Sequence, residues 1–467
     1  MYEACRRRWK ELRYSSFCWE ECEEGLRIEF RFELDADHVF RPTALIERRP
    51  FLHFDLDREV IDRLVFDIGM IELISYWKCA CPPIVKVCCG VLDDEQCAFW
   101  KKLYWNGLGE FFYTNGIQET QEAFLKVESG KRKEERGKRK VENWASAQYL
   151  VPIGGGKDSV VTLELLRRAG KSIRPLIMNP RGATIECARV AGFGIDEVLV
   201  IRRSIDPLLL KMNAEGYLNG HTPFSAMLAF YTRLASALSG IPNVALSNEN
   251  SANESTVAGS YVNHQYSKSL EFEDDFRKYC LNELLLDCLS ADAVNTQAIK
   301  QSSNQAFNYF SFLRPLSELQ IAMLFSRFTA YHDVFRSCNV GSKTDIWCGH
   351  CAKCLFAYII LSPFIEPTRL NQIFGKPMLD DLTLRHEFEQ LIGEAETKPF
   401  ECVGTVSEVR QALNMMLQRW YQGKERPALL KDYTIGTIDS IDTISTLGNL
   451  SQEERQILQN ACTERNN

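Results

Sequence analysis

Two short stretches of this 467-residue chain carry residue types and spacings that can do chemistry. The first is Gly154-Gly155-Gly156-Lys157-Asp158-Ser159. It lies between an apolar run, Gln148 to Ile153, and a helical pattern from Asp158 to Ala169 that Gly170 closes. Glycines adopt positive φ and let the backbone approach a ligand. Amide N–H groups at a helix start, with the helix dipole behind them, bind anions. Asp158 and Ser159 are placed to cap the helix, Ser159 also to donate to a phosphate oxygen, and Lys157 adds a point charge. The loop is neither a GxGxxG dinucleotide turn nor a GxxxxGK[ST] loop, and a plain strand-to-helix connection is the competing reading.

The second stretch is Cys348-Gly-His-Cys351-Ala-Lys-Cys354, with Cys338 ten residues upstream. Thiolates two residues apart in a turn can face one tetrahedral Zn²⁺, and four sulfurs close a structural site. Zinc is preferred to an iron–sulfur cluster, since no redox partner motif accompanies it. His350 lies between two better-placed thiols and is the weaker ligand. Buried thiols in a helix-capping turn are the alternative.

These residues need a scaffold. From Gln148 onward strand and helix patterns alternate. Pro175 to Met178 reads as a strand, Thr184 to Ala191 as a helix, Glu197 to Ile201 as a strand, Phe224 to Leu238 as a helix and Asn243 to Ser247 as a strand. That rhythm predicts an α/β fold with a doubly wound parallel sheet. Ligands of such sheets lie at the carboxyl ends of the strands. Asn179 and Ser247-Asn248-Glu249-Asn250 are therefore expected near the glycine loop, ordinary loop capping being the alternative. Upstream, Leu26 to Leu34 alternates as a strand, Leu64 to Ile68 reads as another, and Asp94 to Tyr104 as a helix. The expected organisation is an N-terminal α+β domain over 1–130 and a charged linker over 131–145. An α/β domain over 146–337 that carries the glycine loop follows, then a Cys-rich, mostly helical region over 338–467.

Composition narrows the class. Hydrophobic residues make up 45% and charged residues 25%, as in soluble globular proteins. No run approaches the roughly 18 apolar residues of a membrane helix. No apolar segment follows Met-Tyr-Glu-Ala-Cys-Arg-Arg-Arg at the N-terminus, so secretion is not expected and a cytoplasmic location is. The 17 cysteines are then expected to be reduced. A net charge of −7 argues against a life on nucleic acid. The run Lys131 to Lys140 has seven basic residues, and reads as a solvated linker or else as a local phosphate patch.

The hexapeptide resembles the pyrophosphate loop of the PP-loop ATP pyrophosphatases, Ser-Gly-Gly-x-Asp-Ser. Gly155, Gly156, Lys157 at the variable position, Asp158 and Ser159 match; Gly154 replaces the first serine. The resemblance implies that the loop holds the β- and γ-phosphates, that Asp158 helps hold Mg²⁺, and that ATP is cut to AMP and pyrophosphate. Related enzymes that build a deazaguanine nitrile carry a similar four-cysteine cluster. The strings VPIGGGKDSVVTLELLR, SNENSANEST, WCGHCAKCLFAYIILSPF and KPFECVGT, with the chain length, resemble the ATP-dependent UDP-N-acetylmuramoyl-L-alanyl-L-glutamate epimerases over nearly the whole chain. That resemblance implies inversion of a terminal L-Glu through an acyl-adenylate. Inversion needs a general base near ambient pH, for which Cys402 and His264 are the candidates; Glu249 and Glu254 are candidates for Mg²⁺. The N-terminal domain is the expected seat of the UDP-sugar. A PP-loop tRNA- or nucleobase-modifying enzyme and a non-catalytic nucleotide-binding protein remain open.

Overall fold

The computed structural model describes residues 1–130, 147–250, 265–289, 307–401, 403–438, 440–441 and 443–464, with only the backbone of 284–289. The eleven described strands are β1 (Glu11–Cys22), β2 (Gly25–Glu33), β3 (Val39–Phe40), β4 (Thr43–Glu47), β5 (Ile84–Val87), β6 (Lys126–Ser129), β7 (Tyr149–Pro152), β8 (Ile173–Met178), β9 (Leu199–Arg203), β10 (Asn243–Leu246) and β11 (Asn308–Ser311). The chain forms two compact units that interleave in sequence. The first contains 1–150, 199–244 and 262–309; the second contains 151–198, 245–261 and 310–467.

In the first unit the strand order is β9-β4-β2-β1-β5-β6, with β3 against β2. The pairs β1–β2, β2–β4 and β4–β9 are antiparallel, and β1–β5 and β5–β6 are parallel. The fold is therefore mixed α/β, not a purely parallel sheet. The helix α1 (Arg58–Ala80) packs on this sheet and is buried on nearly every face. It absorbs Leu64 to Ile68, which the sequence reading assigned to a strand. A short apolar run inside an all-round apolar helix has no alternation to betray it. Glu72 of this helix takes a two-pronged ion pair from Arg203, at 2.5 and 2.7 Å, and a 2.9 Å hydrogen bond from Tyr231. That buried pair helps hold β9 antiparallel to β4, with Ala44 opposite Arg203.

The strands β11-β10-β7-β8 run in that order, and the second unit contains β8 and the carboxyl ends of β7, β10 and β11. Sequence order advances from β7 to β8 on one side and from β10 to β11 on the other. The order therefore reverses between β7 and β10, the place where open α/β sheets bind ligands at their carboxyl ends. The helices that matter there are α2 (Lys157–Arg168), α3 (Gly182–Val190), α4 (Glu318–Ser326), α5 (Ala352–Leu361) and α6 (Val406–Trp420). The sequence placed four of these strand and helix starts within two residues.

Candidate active site

Everything at this site belongs to the second unit. β7 ends at Pro152, and Gly154 to Gly156 turn the chain into α2. Gly155 has a φ of 82°, and a Cβ there would sit 3.1 Å from Ala183 Cβ and 3.2 Å from the Thr184 nitrogen. Only glycine makes this turn without strain. Gly156 is the N-cap of α2, and no side chain caps the helix start. Asp158 is drawn to Lys157, and Ser159 Oγ donates back to the Gly156 carbonyl at 3.0 Å. The start of α2, with its dipole, faces the turn, an arrangement that favours an anion.

Lys157 is the surprise of the loop. It is buried, and its Nζ is held between Asp158 Oδ1 and Glu318 Oε2. These two carboxylates, by attraction and hydrogen bonding, outweigh burial and hold the ammonium above its usual range. Its charge is thus spent inside the protein. Glu318, the first residue of α4, is buried too. Burial pushes its carboxyl up; Lys157 pulls it down, and Asp158 and Glu249 push it up again. Glu408 joins the group. Its Oε1 accepts from the Glu318 amide at 2.8 Å, and its Oε2 accepts from the Thr405 amide at 2.9 Å. One side chain so satisfies the starts of two helices, α4 and α6. Burial raises the Glu408 carboxyl as well. Gly404 fits tightly here, since a Cβ would lie 3.0 Å from both Glu318 Cγ and Glu408 Oε2. Gly404 and Thr405, from the KPFECVGT string, therefore pack against the carboxylates around the lysine.

The end of β10 forms the facing side. Arg314, fully buried, donates to the Glu249 carbonyl at 2.6 Å and to Ser311 Oγ at 3.1 Å. Asn248 Nδ2 also donates to Ser311 Oγ, at 3.1 Å. Ser247 Oγ is buried with no hydrogen-bond partner among the described residues. An orphan hydroxyl at a strand's carboxyl end suits a ligand oxygen. Asn179, just after β8, has a φ of 51° and is exposed.

Cys338, Cys348, Cys351 and Cys354 converge, all four sulfurs lying within 4.8 Å of one another. Three separations are 3.5, 3.6 and 3.9 Å. A tetrahedral ion with Zn–S bonds of about 2.3 Å needs sulfurs about 3.8 Å apart, so the cluster could hold a structural metal. Contact with Cys354 and the helix-start amide hold the Cys351 thiol down, at about 5. Burial pushes Cys348 up to about 11, and hydrogen bonding with Cys351, together with burial, pushes Cys354 up. Four thiols share little negative charge without a cation, and a metal would displace the remaining protons. His350 is not in the cluster; it is exposed, with Nδ1 3.0 Å from the Cys348 carbonyl.

This centre abuts the glycine loop. The Arg336 amide donates to the Gly155 carbonyl at 2.7 Å, two residues before Cys338. Asp345, between Cys338 and Cys348, accepts from the Gly182 and Ala183 amides at 2.7 and 3.0 Å and so caps α3.

Two family models cover the chain: the MurL N-terminal domain matches residues 3–288 and the MurL C-terminal domain matches residues 334–432. The chain belongs to the MurL family. The glycine loop lies in the first match and the four cysteines and Glu408 in the second. Among similar proteins, one from Xanthomonas oryzae pv. oryzae is 33% identical over 81% of this chain and 79% of its own length. One from Salinispora tropica is 34% identical, over 76% of this chain and 73% of its own. One from a Micromonospora species is 34% identical, over 77% and 76%. All three are named UDP-N-acetyl-alpha-D-muramoyl-L-alanyl-L-glutamate epimerase.

Of the residues expected from sequence, Gly154 to Ser159, Asn248 and Glu249 flank the reversal point between β7 and β10, and Asn179 follows β8. Cys402, His264 and Glu254 lie outside the described residues, as does the expected linker 131–145. Glu318, Glu408, Arg314 and Arg336 were missed. Two of them sit in helix-start signatures, Ser317-x-x-Gln320 for Glu318 and Thr405-x-x-Glu408, that mark caps but not chemistry.

Proposed function

We propose that this chain is an ATP- and Mg²⁺-dependent epimerase of the PP-loop type. It inverts the terminal L-Glu of UDP-N-acetylmuramoyl-L-Ala-L-Glu to D-Glu for peptidoglycan precursor synthesis in the cytoplasm. The substrate reading rests on the shared name of its relatives. The ATP reading is carried by one observation, an uncapped glycine turn at the reversal of strand order.

The chemistry explains why an epimerase would use ATP. The α-hydrogen of a carboxylate is scarcely acidic, because its loss puts a second negative charge beside the first. A carboxylate oxygen attacks the α-phosphorus of ATP, the bond to the β-phosphate oxygen breaks, and pyrophosphate leaves. The acyl-adenylate carbonyl then accepts the electron pair when a base removes the Cα proton. A proton returned to the opposite face inverts the centre. Water cleaves the acyl–phosphate bond and gives back the carboxylate and AMP.

In this reading the Gly155, Gly156 and α2 amides cradle the β- and γ-phosphates. Asp158 and Glu249 would hold Mg²⁺, whose charge would screen the phosphates; hard oxygen donors suit it. Glu318 and Glu408 fix Lys157 and the loop behind it. Cys402 and His264 are the proposed groups on either face of Cα. The four cysteines hold zinc. The test is incubation with ATP, Mg²⁺ and the L,L-dipeptide substrate. AMP, pyrophosphate and D-Glu should appear together, and Asp158→Asn should stop all three. Conversion without ATP would sink the adenylate route; AMP formation without D-Glu would point to another adenylating enzyme.

A further inference from the structure

The glycine loop needs a cation for phosphate, and Lys157 is not available for that work. Its ammonium is enclosed by Asp158 and Glu318. Arg336 offers an alternative. Its amide donates to the Gly155 carbonyl at 2.7 Å, and a Cβ on Gly156 would come 3.2 Å from Ser337 Cβ. Residues 336 and 337 therefore run along the loop.

Among the described residues, the Arg336 guanidinium has one hydrogen bond, from Nη1 to the Phe335 carbonyl at 2.6 Å. Its Nε is buried and without a partner among the described residues. The nearest carboxylates have other work. Asp345 caps α3, and Asp333 pairs with Arg369 at 2.8 Å. The Cys187 thiol lies 3.8 Å from the Gly155 carbonyl. A half-buried guanidinium that gives no hydrogen bond to its neighbouring carboxylates, tied by its own backbone to a phosphate-type turn, suits an anion there. Arg181 reinforces the local charge; its Nη2 lies 3.5 Å from the Gly154 carbonyl.

Resting on the nucleotide reading above, we propose that Arg336 is the cation that binds the β- and γ-phosphates, and the released pyrophosphate, at the glycine loop. Cys338, two residues along, fixes its place, so the cysteine centre acts as a mount for the phosphate ligand. Lys157 serves instead to neutralise the carboxylates under the loop.

The test compares wild type, Arg336→Ala and Arg336→Lys by calorimetric titration with Mg²⁺–pyrophosphate, ATP and AMP. Arg336→Ala should weaken pyrophosphate and ATP by about 10- to 100-fold, the scale of charged hydrogen bonds, and leave AMP within about twofold. Arg336→Lys should recover part of the loss, and metal content should stay unchanged in both variants. Equal pyrophosphate affinity in wild type and Arg336→Ala overturns the proposal alone, as does an equal loss for AMP. A wild type that binds neither ATP nor pyrophosphate overturns the nucleotide reading and the proposal together.

Discussion

Replacing Lys157 by Met should turn the buried cluster into a pH-sensitive weakness. Met keeps the length of the side chain and removes its charge. Glu318 then stays buried beside Asp158, Glu249 and Glu408 with no cation at its Oε2. Removing one partner of a buried pair costs about 3–5 kcal/mol. Asp158 is half-exposed and sheds its share into solvent, so the burden falls on Glu318.

Burial already raises the Glu318 carboxyl, and without Lys157 it rises further. A carboxyl whose folded-state pKa exceeds its unfolded value is held protonated in the fold and ionises on unfolding. Its contribution to stability is present at low pH and lost as pH rises towards the folded pKa. In that window stability falls by about 1.4 kcal/mol per pH unit, or about 2.7 kcal/mol between pH 5 and pH 7. Wild type, in which Lys157 lets the Glu318 carboxyl ionise in the fold at about 8, should share that fall up to about pH 8 and level off above it, whereas the variant keeps falling. The assay is urea unfolding from pH 5 to 10, with amide exchange in α2 and α4 to locate the loss in this unit. Adding Glu318→Gln to Lys157→Met should flatten the slope. A single variant as stable as wild type, with no further fall above about pH 8, would refute the account of Lys157 as an internal counter-ion.

Three further predictions follow from the same geometry. Cys348→Ser, or chelation, should release about one equivalent of metal and speed exchange of the Arg336 amide, with no change in β1 and β2 of the other unit; unchanged exchange would detach the cysteine centre from the loop. Gly155→Ala should cost more than 1 kcal/mol, from its positive φ and the 3.1 Å approach to Ala183, and should abolish ATP binding in a titration. Ser247→Ala should leave the melting temperature of the ligand-free protein unchanged or slightly raised, because its hydroxyl has no partner to lose, yet weaken ATP several-fold. A lowered melting temperature with unchanged affinity would give that hydroxyl a structural role.

The readable parts of the sequence were those that repeat a local rule. The glycine turn, the strand starts around it and the CxxCxxC spacing each announce themselves within a dozen residues. What stayed hidden was long-range. Glu318 lies 161 residues from Lys157, and Glu408 lies 90 from Glu318. Alone in sequence, each is only an acidic residue in the first turn of a helix. The pairing of Lys157 with Glu318 stayed hidden for that reason: sequence shows the lysine in its loop but not the distant carboxylate beside it. Strand β9 was found, but not its antiparallel partner β4, which lies about 155 residues upstream and is fixed partly by the Arg203–Glu72 pair. Leu64 to Ile68 failed because a buried helix and a buried strand look alike over five residues.

The central claim is that ATP is spent to make a glutamate Cα proton removable. Its most direct test is to incubate the protein with ATP, Mg²⁺ and UDP-N-acetylmuramoyl-L-Ala-L-Glu in D₂O and weigh the released glutamate. D-Glu carrying one deuterium at Cα, formed only when ATP is present, is the predicted result. D-Glu without deuterium, or deuterium incorporated equally without ATP, would contradict it.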